Sequence, residues 1–159
     1  MVKIKRVRIA AYSLITELMS DIRRADLKEL YMGPVDPFTA VFDSIEASTL
    51  CYQVRDSKKQ LLAIFGLGSI QINMEGTMAT PVWFLGTNKA YNHNRAMVFY
   101  GRQFCREFIK KAGPLCNFIW SGNEPAIRYI MHMGATLYDV VPMGRNGEMF
   151  VPFLLSEVD

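Results

Sequence analysis

The polar residues that could do chemistry are concentrated just before the most regular helical pattern in the chain, in the segment LGTNKAYNHNRAM. Lys89, His93 and Arg95 could attract an anion there. Asn92 or Asn94 could cap the helix that follows, whose N-terminal N–H groups and dipole favour a bound phosphate. A polar loop that only begins a helix explains the same residues, and we favour this simpler interpretation over an anion site.

The other reactive side chains form no constellation with the spacing of a known site. His93 and His132 lie far apart and lack acidic or cysteine partners at ligand spacing, so we predict no metal site. The three cysteines, Cys51, Cys105 and Cys116, lack CxxC spacing, and each lies in an apolar segment. We therefore expect three buried free thiols in a reducing compartment. A cysteine nucleophile would need an exposed, electropositive site, which none of these segments offers.

Hydrophobic periodicity predicts a strand and three helices in the first third of the chain. The strand covers residues 4–11, and apolar residues recur at helical spacing from Leu14 to Ile22. We expect Asp26 to cap a second helix while Glu29, three residues later, reaches back to complete a capping box. The first helix should therefore break or bend just before this box. A third helix begins at the DPF motif, where aspartate can cap and proline suits the first turn.

The rest of the chain predicts one sheet with helices packed on it. Strands are expected at 50–56, 60–72, 80–86 and in LCNFIW, helices at 94–112 and 124–133, and a terminal antiparallel pair around the turn GRNGE. The whole chain, residues 1–159, is then a single mixed α/β domain. Its central sheet has about six to seven strands, flanked by about four to five helices.

Length and charge exclude several classes of protein. A chain of 159 residues suits one hydrophobic core, and no apolar run approaches the roughly 20 residues of a membrane span. The start of the chain lacks the pattern of a signal peptide. The net charge of +3 does not itself predict nucleic-acid binding, for which the basic N-terminal strand KIKRVR would be the one possible site. Its alternating charges suit a solvated edge strand that resists edge pairing.

The segment FIWSGNEPAIRYIMHMGA carries a family resemblance. Asn123 can cap a helix, Ala126 lets that helix lie close to the sheet, and Gly134 turns the chain into the next strand. With Ala135, these residues resemble the second half of the GNAT acyltransferase superfamily, and the order of the predicted elements is similar to that fold. The resemblance implies a single GNAT-like domain with an open cleft between two strands.

The resemblance also implies where a cofactor would bind. Superfamily members hold the pyrophosphate of acyl-CoA with a glycine-rich loop, which corresponds here to LGTNKAYNHNRAM. The implied cofactor-binding residues are Leu85, Gly86, Thr87, Lys89, Asn92, Asn94, Arg95 and, after the next strand, Asn123. After Gly86 no glycine follows until Gly101, inside the helix, so the backbone cannot approach a pyrophosphate in the same way.

The catalytic residues that the resemblance implies are also incomplete. The position of the family's proton-donating tyrosine is occupied by Ile130, which cannot donate. Tyr129 is the candidate catalytic residue, but it is turned by about 100° around the helix and is expected to face elsewhere. The strand TPVWFLGTN offers no aspartate or glutamate as a base.

A narrower resemblance covers most of the chain. The segments DIRRADLKEL, VWFLGTN, CREFIKKAG and NGEMFVPF, with the run W-x-GN-x-x-x-IR, are similar to the small internal virion protein family of short-tailed bacteriophages. This resemblance implies a phage internal virion or infection-associated protein, located in the host cytoplasm or the virion. Together with the missing glycine loop and Ile130, it predicts a protein without acyltransferase activity or cofactor. Its partners would be other virion proteins or host proteins. The alternative is an active acetyl-CoA-dependent N-acetyltransferase that modifies a host or phage protein.

Overall fold

A computed structural model describes the whole chain, residues 1–159. Its strands are β1 (Lys3–Arg6), β2 (Ser48–Arg55), β3 (Leu61–Gly68), β4 (Ile72–Met74), β5 (Thr77–Gly86), β6 (Leu115–Trp120), β7 (Thr136–Leu137), β8 (Val141–Pro142) and β9 (Met149–Leu155). Its α-helices are α1 (Tyr12–Asp21), α2 (Arg24–Tyr31), α3 (Pro37–Ala47), α4 (Asn94–Ala112) and α5 (Glu124–Met133). A short 3₁₀ helix, Asn88–His93, leads into α4.

One mixed sheet contains all nine strands, in the order β1-β2-β3-β5-β6-β9-β7, with β4 paired to β5 and β8 paired to β9. Every pairing is antiparallel except that of β5 with β6. Parallel neighbours need a crossover connection, and α4 supplies it. The only parallel junction of the sheet therefore lies beside the C-terminus of its longest helix, where the Pro114 carbonyl accepts from the Thr80 N–H.

Apolar cores lie on both faces of the sheet. A cluster of 11 buried residues joins α1 and α3 to the central strands, with Ile15, Leu18 and Val41 fully buried in it. A second cluster of eight packs α4 and α5 against β6 and β9 around Phe108 and Met133. The predicted single α/β domain with about four to five helices is confirmed, and there are five helices. The sheet has nine strands where about six to seven were predicted, because β4, β7 and β8 are only two or three residues long. None of these helices is both long and apolar enough to cross a membrane.

Local signals predicted the later elements well and the earlier ones less well. The long helix has the predicted bounds, and Gly113 ends it with a φ of 79°. The break between α1 and α2 is present, but the first strand is shorter than predicted. The segment NMEGTMA, expected to connect strands, forms the β4–β5 hairpin instead. Glu75 and Gly76 make its tight turn with φ of 49° and 88°, which a glutamate rarely adopts.

Candidate functional site

Strands β5 and β6 pair over a very short distance and then separate. Their parallel register consists of Thr80 with Leu115 and Pro81 with Cys116. Beyond it, the side-chain Nδ2 of Asn117 donates to the Val82 carbonyl at 2.8 Å in place of a backbone group. Both strands continue without pairing to each other, so a V-shaped cleft opens between them.

The edge of β5 that faces this cleft is partly unpaired. At its end, the Gly86 N–H donates to Asp26 Oδ2 at 2.9 Å and the Gly86 carbonyl accepts from the Arg23 N–H at 2.9 Å. Backbone groups of a strand alternate in direction, so those of Phe84 point to the same side as those of Gly86. The N–H and C=O of Phe84 therefore face the cleft. They lie between Val82, whose carbonyl is bound by Asn117, and Gly86, which is bound by Asp26 and Arg23.

A cavity of about 250 Å³ passes through the sheet at this cleft. On one face its wall includes Glu29 and Leu30 of α2 and Ser44 of α3; on the other it includes Met97 of α4 and Tyr129 of α5. Twenty of its 25 lining residues are hydrophobic. A cavity of this kind suits a largely apolar ligand that is held by a few polar groups.

The polar groups at the cleft come mainly from α2. Asp26 is buried and its carboxylate accepts from Arg23 Nε at 2.9 Å and from Asn123 Nδ2 at 3.1 Å. Glu29 Oε1 accepts from the Trp120 N–H at 2.8 Å and from Asn123 Nδ2 at 3.2 Å. The two carboxylates thus bridge the ends of β5 and β6. The expected capping box is wrong, because α2 begins at Arg24 and its cap makes no side-chain hydrogen bond.

Glu29 has the electrostatics of an acid–base group. Burial raises the pKa of its carboxyl to about 7, and the hydrogen bonds from Trp120 and Asn123 oppose this rise. The neighbouring Asp26 carboxylate raises the pKa further, while Arg23 lowers it. Glu29 Oε2 accepts no hydrogen bond from the protein and is not sealed in the interior. This side chain can therefore exchange a proton near neutral pH with a group in the cavity.

Asn123 acts as both the predicted cap and the centre of the polar network. Its Oδ1 accepts from the Ala126 N–H at 3.3 Å at the start of α5, as predicted, while its Nδ2 donates to both carboxylates. Gly134 ends α5 in the left-handed conformation, with a φ of 99°. These two positions fix the direction of α5 beside the cleft.

Tyr129 does not face away from the cleft as the helical spacing predicted. It lines the cavity together with Ile130. Its hydroxyl donates to the Met97 carbonyl at 2.6 Å and occupies space that a side chain at Gly101 would fill. Burial raises the pKa of Tyr129 well above its ordinary value.

The predicted cofactor segment is only partly directed at the cleft. Thr87 is buried and its hydroxyl donates to the Leu61 carbonyl at 2.7 Å, while Leu85 is buried and lines the cavity. Lys89 pairs with Asp21 at 2.6 Å. The remaining side chains of the segment are exposed at the start of α4, namely Asn92, Asn94 and Arg95. No side chain caps the N-terminus of α4, so its first N–H groups have no such partner.

The sequence did not predict two features of the cleft, the acidic pair of α2 and the open edge of β5. The acidic pair of α2 had a signal, since Arg23, Asp26 and Glu29 are charged residues at one-turn spacing, but that spacing also fits a cap. The open edge of β5 had no sequence signal, because only the topology shows where the two strands part. The three cysteines are free: Cys51 and Cys116 are buried as expected, whereas Cys105 is half-buried. No cluster of metal-ligating side chains is present.

Comparisons with known proteins relate the chain to acetyltransferases through structure alone. No protein-family model matches the sequence, and no curated protein matches it. The aminoglycoside N(6')-acetyltransferase of Legionella pneumophila aligns with a TM-score of 0.67 at 12% identity, over 97% of this chain and 91% of that one. A GNAT-family acetyltransferase of Bacillus anthracis aligns with a TM-score of 0.65 at 13% identity, over 96% and 92%.

The spermidine N-acetyltransferase of Vibrio cholerae, solved with CoA and spermine, aligns with a TM-score of 0.64 at 13% identity, over 96% of this chain and 93% of that one. None of these findings supports the resemblance to phage internal virion proteins. The strand order, the separation of β5 from β6 and the alignments agree with one another: the chain is a single α/β domain with the GNAT-like fold of N-acetyltransferases.

Proposed function

We propose that this protein is a CoA-dependent N-acyltransferase. The observation that carries the proposal is the cavity that crosses the sheet where β5 and β6 separate, with the Glu29 carboxyl in its wall. The alternative function in our sequence analysis is thus better supported than a non-catalytic virion protein. The missing glycines suggested that the protein binds no cofactor. The open cleft between β5 and β6 nevertheless has room for one.

The residues around the cleft fit an acyl-CoA. The two amides of its pantetheine arm would pair with the N–H and C=O of Phe84, as a peptide adds to an open strand edge. Its phosphates would meet the uncapped first turn of α4, where Arg95 and, two turns further along the same face, Arg102 add positive charge. When bound, this cofactor supplies an acyl group activated as a thioester.

Glu29 is suited to be the general base. An amine that becomes acylated must lose a proton, and a carboxylate with a pKa of about 7 can accept it at neutral pH. Trp120 and Asn123 hold Oε1 in place, and Oε2, which accepts no hydrogen bond from the protein, would take the proton. An amine that enters between α2 and α3 would meet Glu29 before it reaches the strands.

Tyr129 remains the candidate proton donor to the departing sulfur. Its hydroxyl lies in the cavity wall, but it donates to the Met97 carbonyl and its raised pKa opposes proton release. Donation would require Tyr129 to exchange this bond for one to the sulfur. We therefore expect Glu29 to matter more for the rate than Tyr129.

Calorimetric titration with acetyl-CoA and with CoA tests donor binding directly. At 100 times the dissociation constant, a ligand of the folded state adds about 2.7 kcal/mol of stability, which is a rise in Tm of roughly 5–10 °C for a domain of this size. Arg95→Ala should weaken binding a few-fold. Lys89→Ala is the matched control, because its ammonium is already paired with Asp21. The absence of binding and of thermal stabilisation at millimolar CoA would overturn the proposal.

Release of CoA in the presence of a panel of primary amines tests the base. Glu29→Gln should lower kcat by about 10²–10⁴-fold while it leaves the affinity for CoA unchanged. In the unmodified protein, kcat should rise with pH through about 7, because the base must be deprotonated. Equal kcat values for the variant and the unmodified protein would remove Glu29 from the mechanism.

A further inference from the structure

We infer that the acyl group taken by this protein is larger and more apolar than acetyl, such as a six-carbon chain or a benzene ring. The inference rests on the proposed function and deepens it by naming the class of acyl donor. It follows from the part of the cavity that lies beyond the reacting groups. We call this the inner cavity and define it by Phe65, Phe104, Phe108, Met133 and Phe153.

The inner cavity lies along α4, away from the polar end of the cleft. The Met97 carbonyl accepts a hydrogen bond from the Tyr129 hydroxyl. The ring centroid of Tyr129 lies 5.1 Å from that of Phe84 at the open strand edge. Phe108 lies 11 residues further along the same helix, which is about 16 Å of helix axis. The cavity is therefore long enough to hold a tail that starts at the strand edge and runs beneath α4.

The walls of the inner cavity are apolar and aromatic. The ring centroids of Phe65 and Phe104 lie 5.0 Å apart, and those of Phe104 and Phe108 lie 6.1 Å apart. Glu29 and Ser44 line the cavity from α2 and α3, on the other face of the sheet. Asn117 is the cross-strand partner of Phe153, but its amide is occupied by the Val82 carbonyl and the Phe118 N–H. Water needs two to four polar partners in a buried site and finds none at the side chains of the inner cavity. An apolar group is thus the occupant that this part of the cavity favours.

The size of the cavity argues against acetyl as the only acyl group. An apolar cavity of about 150 Å³ inside a protein can bind benzene. The whole cavity, from Glu29 to Phe153, has about 250 Å³, so the end of the pantetheine arm and an apolar acyl group would share this volume. The two carbons of acetyl would be too short to reach Phe108.

A series of CoA thioesters tests the inference on the unmodified protein. Dissociation constants are measured by calorimetry for CoA, acetyl-CoA, butyryl-CoA, hexanoyl-CoA and benzoyl-CoA. Burial of each additional methylene should tighten binding about fourfold, so hexanoyl-CoA should bind up to roughly two hundredfold more tightly than acetyl-CoA. Equal or weaker binding of hexanoyl-CoA and benzoyl-CoA would overturn the inference.

The titrations with CoA and acetyl-CoA distinguish a failure of this inference from a failure of the proposed function. If CoA and acetyl-CoA bind but longer chains gain nothing, only the inner-cavity inference fails. If neither CoA nor any thioester binds, the proposed function fails and this inference with it.

A cavity-filling variant locates the acyl tail. Cys105 lines the cavity on α4, and Cys105→Met places a longer, flexible side chain there. This variant should lose at least tenfold in affinity for hexanoyl-CoA and less than threefold for acetyl-CoA. Glu107→Met, on the exposed side of the same helix, is the matched control and should leave both affinities unchanged. Equal losses for the two thioesters would place the tail elsewhere.

Discussion

The pH dependence of stability should distinguish Glu29 from the other carboxyl groups of the protein. Its pKa is about 7 in the folded protein, compared with 4.5 for an unperturbed glutamate. Between these pH values the folded state holds a proton that the unfolded state releases. The stability linked to this proton is therefore present at low pH and is lost as the pH rises through 7. By pH 8 the loss amounts to about 3 kcal/mol.

Glu29→Gln removes this dependence with little change of shape. The glutamine keeps an oxygen that can accept from Trp120 and Asn123, but it cannot ionise. Its free energy of unfolding should exceed that of the unmodified protein by about 3 kcal/mol at pH 8, and the two should converge near pH 4.5.

Urea unfolding at half-unit steps from pH 4.5 to 8.5 measures the difference between the two proteins. Glu46→Gln, which alters an exposed carboxyl on α3, is the control and should give a curve parallel to the unmodified protein. If Glu29→Gln also gave a parallel curve, the carboxyl would not be desolvated and the argument for a base at this position would fail.

Three further predictions concern the buried network, a close contact and the thiols. Asp26→Ala leaves the buried Arg23 guanidinium unpaired and should destabilise the protein by about 3–5 kcal/mol in urea unfolding; a loss under about 1 kcal/mol would contradict a buried ion pair. Gly66→Ala places a Cβ 2.6 Å from Trp83 Nε1 and should cost about 1–3 kcal/mol, seen as a lower Tm. Gly33→Ala, whose nearest neighbour is at 3.4 Å, should change Tm little. Burial raises the pKa values of the three cysteine thiols to about 11 or 12, so the native protein should react with maleimide at pH 8 far more slowly than the urea-unfolded protein. Equal rates would show that the thiols are accessible.

Sequence patterns succeeded wherever a short segment determines its own structure. The cap at Asn123 and the left-handed Gly134 were predicted because a capping side chain and a glycine act on backbone within the same few residues. The bounds of α4 followed from a stripe of apolar residues and a terminal glycine. The β4–β5 hairpin was missed since Glu75 occupies a turn position that usually takes asparagine, aspartate or glycine.

The site itself could not be predicted because its partners are distant in sequence. Asp26 meets Gly86 across 60 residues, and Glu29 meets Trp120 across 91. From the sequence, the spacing of the two carboxylates fits a local capping box equally well. Only the fold shows that α2 turns these side chains towards the gap between two strands. The rotation of Tyr129 into the cavity likewise depends on how closely α4 approaches at Gly101.

The energetic cost of the cleft favours a ligand over an inherited but unused scaffold. An unfilled apolar cleft forgoes the packing contacts that larger side chains would make, and this lowers the stability of the protein. Keeping the Glu29 carboxyl ionised in the folded state adds about 3 kcal/mol at pH 8. Domains are stable by only about 5–15 kcal/mol, and larger apolar side chains with a neutral residue at 29 would remove both costs. A ligand that fills the cavity and uses the carboxyl accounts for both features together, whereas a purely structural role accounts for neither. Under the proposed function, the missing glycines would reflect a different way of holding the phosphates and not a loss of the reaction.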